Sequence, residues 1–141
     1  MAIPDRIGVS EDQRIDITVR IIAEVVEISG RVIDFCRSRG VDERRSFYAG
    51  LCMEEMAANI VEHGFTKDKK SHSVDIRVIA TGEKLILRLR DECAEFDPTQ
   101  RAKAMETDAY GKNIGIKLVY RIADTVDYQN LLGLNVLTIS V

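Results

Sequence analysis

Two short stretches in the second half of the chain alternate apolar and polar residues on either side of a turn. This pair constrains the fold more than any other feature. Val74, Ile76 and Val78 fall at every second position of Ser73 to Ala80, and Leu85, Leu87 and Leu89 do so between Lys84 and Arg90. Successive side chains of a strand point to opposite faces, so each stretch reads as a half-buried strand. Thr81-Gly82 supplies the turn, and the two strands form a hairpin with one apolar face that other elements must cover.

The first half of the chain supplies that cover. From Val19 to about Arg39, the residues Ile21, Ile22, Val25, Val26, Val32, Ile33 and Phe35 recur at helical spacing. Gly40 is suited to end that helix. Asp42 is suited to cap a second one, with Arg45 inside it and Phe47, Leu51, Met56, Ile60 and Val61 along it to a stop at Gly64. Arg14 to Ile17 reads as a short first strand after a tail over residues 1–13. A charged loop runs from Thr66 to Ser71, and a long polar stretch from Asp91-Glu92 to Asn113. Ile114 to Ala123 reads as a third helix, and Thr125 to Gln129 with Leu134 to Val141 as a second hairpin around Leu131-Leu132-Gly133. The expected fold is an α/β (α+β) two-layer sandwich: a mixed, mostly antiparallel sheet with about three helices on one face. A long connection inside so compact a domain is usually functional.

The 141 residues fit one domain. A net charge of −3 offers no basic surface of the kind nucleic acid needs. Cys36, Cys52 and Cys93 form no C-x-x-C pair, which points away from zinc and disulfides and toward a reducing compartment. Met1 to Glu11 has no apolar core of a signal peptide, and no apolar run reaches the length of a membrane span. The expected setting is therefore the cytoplasm, with no membrane and no direct nucleic-acid contact.

Three segments carry chemistry. Glu55, Asn59 and His63 lie four apart and share one face of the second helix. A carboxylate there can polarise a hydroxyl or water, and an amide oxygen can ligate magnesium, though the same spacing also suits an ordinary solvated face. Asp91 closes an apolar strand, just before Glu92-Cys93-Ala94-Glu95-Phe96-Asp97-Pro98. It can accept a hydrogen bond from an exocyclic amine, or simply end a strand before a polar turn. Gly111-Lys112-Asn113-Ile114-Gly115-Ile116 leads into a helix, where backbone N–H groups and a lysine attract phosphate. The same residues also suit a loop in which Asn113 is only a cap.

Taken in order, E-x-x-x-N on a helix, a strand ending in aspartate before F-D-P, and N-I-G-I-x-L-V at a helix start resemble the Bergerat ATP-binding fold. This is the superfamily of gyrase, chaperone, histidine-kinase and mismatch-repair ATPases. In particular the chain resembles the anti-sigma-factor serine/threonine kinases, from about Arg14 to Val141. The resemblance implies that Glu55 is the general base toward the attacking hydroxyl and that Asn59 binds magnesium bridging the ATP phosphates. It implies that Asp91 reads the adenine amino group. Cys93 and Phe96 fall in the first glycine box, and Lys112, Asn113, Ile114, Gly115 and Ile116 in or beside the later one, where backbone approaches phosphate. His63 is implied to be structural.

Several positions depart from the family pattern. Cys93 and Asn113 each stand where the boxes have glycine. Gly111 stands where the kinases have an arginine for the terminal phosphate, and Gly133-Leu134-Asn135 replaces a glycine-threonine start of the last strand. Cysteine is small and asparagine tolerates left-handed backbone, so neither change forbids nucleotide. The implied function is an ATP- and magnesium-dependent kinase acting on a small anti-anti-sigma-like regulatory protein, in a partner-switching circuit that can include a sigma factor. The implied molecule can also homodimerise, and the stretch from Glu95 to Lys112 would close over the nucleotide. The alternative is a catalytically weak or inactive module of the same fold that holds nucleotide or sequesters a partner. A fragment of a two-component histidine kinase fits less well, because neither His63 nor His72 follows a helix pair that would present a phospho-acceptor.

Overall fold

The computed structural model describes residues 11–68, 70–95, 97–98 and 114–141. Five strands and three α-helices make up this part of the chain. They are β1 (Arg14–Val19), α1 (Ile22–Ser38), α2 (Glu43–Asn59), β2 (Val74–Thr81), β3 (Lys84–Asp91), α3 (Ile114–Ile122), β4 (Thr125–Leu131) and β5 (Leu134–Ser140). The strands form one sheet in the order β1-β2-β3-β5-β4. All four pairings among the described residues are antiparallel, so the parallel pair that a mixed sheet requires is not among them.

Strand alternation sorts the sheet into two faces. Val74, Ile76, Val78, Leu85, Leu87, Leu89, Leu137 and Ile139 are buried together with Val25, Ile28, Val32, Met53, Met56, Ile116 and Val119 of the three helices. The opposite face carries charge: Arg77 pairs with Asp16 at 2.7 Å, and Arg90 with Asp75 at 3.4 Å. Ion pairs this exposed contribute little to stability. The core is what holds the layers together, since each fully buried Leu or Val is worth roughly 1.5–3 kcal/mol relative to exposure.

The start of α1 differs from the helical reading. Val19 is the last residue of β1, fully buried and opposite Val74. Ile15, Ile17 and Val19 continue a two-residue period, which the sheet uses in preference to the helical one. The helix begins after Ile21, and Glu24 reaches back to accept from the N–H groups of Arg20 and Ile21 at 2.8 and 3.1 Å. At its other end Gly40 takes a φ of 81°, Val41 N–H donates to the Cys36 carbonyl and Gly40 N–H to that of Arg37. This left-handed cap is what glycine permits at that position.

The first turn of α2 is capped as the sequence indicates, with the Asp42 carboxylate accepting from Arg45 N–H at 3.1 Å. The Arg45 guanidinium then donates to the carbonyls of Glu83 and Val141, which ties the helix to a hairpin turn and to the end of the chain. Gly50 is the crossing point of the helix pair. A Cβ there would sit 2.6 Å from Ile33 Cγ1 and 2.9 Å from the Ser29 carbonyl. The α-helical bonding ends at Asn59 rather than Gly64, because Ile60–Gly64 widens into a π turn. Such turns often accompany functional sites.

Candidate functional site

Asn59 is the last α-helical residue before that turn, and it lies between two cavities. One is a narrow slot of roughly 20 Å³ bounded by Met56, Asn59, Ile60, Gly64, Asp91 and Leu137, among others. The other is an open cleft of roughly 520 Å³ between α1, α2 and the start of α3. Asn59 is only 6% exposed, yet its amide has no hydrogen bond among the described residues. Its amide atoms are not sealed off, so water or a ligand can meet them.

The slot is lined mainly by apolar surface, with Asp91 and Asn135 on its sheet side. Asp91 ends β3 directly opposite Asn135 of β5, and both side chains are buried. Asp91 Oδ1 accepts from Cys93 N–H at 2.9 Å and from Asn135 Nδ2 at 3.0 Å. The Cys93 thiol also donates to the Asp91 carboxylate, which borders the slot with an oxygen that is not sealed off. The Cys93 thiol lies against Gly64: a Cβ on that glycine would meet Cys93 Cβ and Sγ at 3.3 Å each. Burial, followed by the neighbouring Asp91, pushes the Cys93 pKa up to about 12, so the thiol stays protonated and unreactive.

The cleft collects carboxylates. Glu54, Glu55 and Glu62 border it with Ala58, Asn59, His63, Gly115 and Ile116, while Ile22, Val25 and Val26 of α1 form its apolar side. Glu55 has its pKa raised, chiefly by burial and then by the charges of Glu54 and Glu62. Its carboxylate rests against the second residue of α3: a Cβ on Gly115 would fall 1.8 Å from Glu55 Oε2. The absence of a side chain at 115 is what lets Glu55 reach the start of α3.

The residues read from the sequence therefore divide into groups. Glu55, Asn59, His63, Gly115 and Ile116 come together around the cleft, and Asn59, Asp91 and Cys93 around the slot. The two sites share Asn59. Ile116 is 3% exposed and belongs to the core, so it borders the cleft without extending into it. Ile114 opens α3. Phe96, Lys112 and Asn113, with most of the stretch from 95 to 112, lie outside the described residues.

Sequence reasoning missed two features of the site. Glu54 and Glu62 share the cleft with Glu55, which helical spacing from 55 to 62 could have indicated. The second is a polar relay behind Asp91: Tyr128 hydroxyl and Asn130 Nδ2 both donate to Asn135 Oδ1. Tyr128 and Asn130 are two apart on β4 and so share a face, a signal that is visible only once Asn135 is placed opposite Asp91.

The donor set suits a hard divalent cation. No group of three or more His, Cys, Asp or Glu among the described residues could hold a metal alone. Magnesium instead characteristically takes one or two protein oxygens and completes its shell with phosphate and water. The Asn59 amide oxygen, bordering the cleft with Glu54, Glu55 and Glu62, offers oxygen donors of that kind. No helix among the described residues is long and apolar enough to cross a membrane.

Known proteins agree with this architecture. The family model for the histidine kinase-like ATPase domain matches residues 21–141. The chain is similar to the serine/threonine-protein kinase BtrW of Bordetella bronchiseptica, with 29% identity over 102 residues that cover 69% of this chain and 70% of that protein. Among solved structures, it is similar to the histidine kinase domain of the blue-light activated histidine kinase from Erythrobacter litoralis EL346. That match has a TM-score of 0.55 at 15% identity and covers 92% of this chain and 67% of the other. At such low identity the likeness speaks for the fold alone.

Proposed function

The chain belongs to the histidine kinase-like ATPase domain family, and on that premise we propose that it binds ATP with magnesium and phosphorylates a serine or threonine of a small partner protein. The observation that carries this reading is the position of Asn59, which borders both the slot beside Asp91 and the acidic cleft. The Bordetella relative is a serine/threonine-protein kinase, which supports the choice of acceptor.

In this reading adenine enters the slot, with its amino group donating to Asp91 Oδ2 and its ring between Met56, Ile60 and Leu137. The triphosphate then runs past Asn59 into the cleft. Asn59 would hold magnesium, which when bound supplies positive charge that offsets the phosphates and the glutamates. Lys112 and the backbone at Asn113 to Gly115 would steady the terminal phosphate. Phosphoryl transfer is mostly positioning and charge compensation. The partner hydroxyl oxygen bonds to the terminal phosphorus as the bond from that phosphorus to the ADP oxygen breaks. The hydroxyl proton passes to Glu55, whose raised pKa suits it to receive one. The partner is an anti-anti-sigma-like regulatory protein, and a homodimer and a sigma factor complete the proposed circuit.

The test is Glu55→Gln with radiolabelled ATP and the acceptor protein. ATP binding should persist while label transfer disappears. Undiminished transfer in the variant would remove Glu55 from the mechanism. ATP binding by the wild type without transfer to any acceptor would favour the sequestering module instead.

A further inference from the structure

Asn135 stands on the sheet between Asp91 of β3 and Asn130 of β4, its direct partners across the two neighbouring strands. It is 5% exposed, and its amide is fully used. The two Nδ2 hydrogens serve Asp91 Oδ1 and the Cys93 carbonyl, each at 3.0 Å, with the Ala94 carbonyl at 3.3 Å. The Oδ1 lone pairs receive the Tyr128 hydroxyl and Asn130 Nδ2. An amide has two donors and two acceptors, so this one has a single orientation. A flip would set its oxygen against a carboxylate and two carbonyls, and its NH₂ against another NH₂ and the Tyr128 hydroxyl.

We infer that Asn135 is a positioning residue that fixes the hydrogen-bond polarity of position 91, and through it the choice between amino and keto purines. The inference rests on the reading of the slot as a purine site. Asn135 Nδ2 and Cys93 N–H both donate to the inner oxygen of residue 91. Whatever occupies position 91 must therefore turn an acceptor inward, and its other atom faces the slot. With aspartate that other atom is Oδ2, an acceptor, which pairs with the amino group of adenine and repels a 6-keto oxygen. With asparagine the inner atom must still be an oxygen, so NH₂ would face the slot. That group pairs with a keto oxygen and clashes with an amino group. Asn135 itself has no hydrogen left for the base, so it selects the base without touching it.

The experiment is calorimetric titration with ATP and with ITP, which carries a keto oxygen where ATP has the amino group, both with magnesium. Wild type should prefer ATP, and Asp91→Asn should reverse the preference toward ITP. Adding Asn135→Ala to Asp91→Asn removes one of the two donors that orient the new amide, which should shrink the ITP preference by about tenfold, the worth of one hydrogen bond. If alanine at 135 lowers the folded fraction, leucine, which keeps the branched shape without the donor, takes its place. A residue that merely supported the fold would weaken both nucleotides equally and leave their ratio alone. An unchanged ratio in the double variant, or no reversal in Asp91→Asn, overturns the inference. A wild type that binds neither nucleotide refutes the purine site itself, and the inference with it.

Discussion

Gly115→Ala separates the placement of Glu55 from the stability of the fold. The new Cβ would lie 1.8 Å from Glu55 Oε2, 2.6 Å from Cδ and 3.3 Å from Cγ. Reaching ordinary van der Waals separation requires the carboxylate to retreat by roughly 1.6 Å. The obstacle is the far end of a flexible side chain beside an open cleft, so the retreat strains no backbone. Gly115 has no positive φ, and alanine in a helix is favoured over glycine by about 1 kcal/mol. Stability in urea should therefore stay within about 1 kcal/mol of wild type. The chemistry should not survive so well, because a displacement of about 1 Å at a reacting group can cost about 100-fold in rate. The assay is single-turnover transfer from ATP, paired with a urea titration, for Gly115→Ala, Glu55→Gln and the double variant. The two substitutions disable the same group, so the double variant should be no slower than Glu55→Gln alone. Wild-type turnover in a folded Gly115→Ala protein, or losses that multiply in the double variant, would refute the reasoning.

Other expectations follow from the same geometry. Leu87 is fully buried at the centre of β3, and Leu87→Ala should cost about 2–5 kcal/mol in a urea titration. Burial raises Cys36 to about 11 and both Cys52 and Cys93 to about 12. Ellman's reagent at pH 8 should therefore find almost no thiols in the native protein and all three after denaturation. Glu55 has a raised pKa, so the charged form is penalised in the fold and the penalty appears as pH rises through that pKa. Glu55→Gln should accordingly raise the melting temperature at neutral pH, with the gain fading toward low pH. The rate of the wild type should fall on acidification at a higher pH than an ordinary glutamate would give. Glu62→Gln should move that fall to lower pH.

The sheet was readable because its strands keep one period and bury one face. The alternation at Val74–Val78 and Leu85–Leu89 placed β2 and β3 to within a residue. Caps were readable because they depend on local chemistry, as at Asp42 and Gly40. Val19 was misplaced because a buried residue at a strand–helix junction satisfies both periods, and only pairing with Val74 decides between them. The widening after Asn59 left no mark in the sequence, since Ile60 and Val61 suit either kind of turn. The three chemical segments were legible as segments. Their meeting was not, because Gly115 reaches Glu55, and Asn135 reaches Asp91, only through the packing of α3 on α2 and the pairing of β5 with β3.

The central claim is that Asp91 presents an acceptor to a nucleotide base in a slot shared with Asn59. Calorimetric titration of the wild type and of Asp91→Asn with ATP and magnesium tests it most directly. The wild type should bind at one site and the variant should not, with the variant's melting temperature showing that it remains folded. Equal binding by both proteins, or none by the wild type, would contradict it.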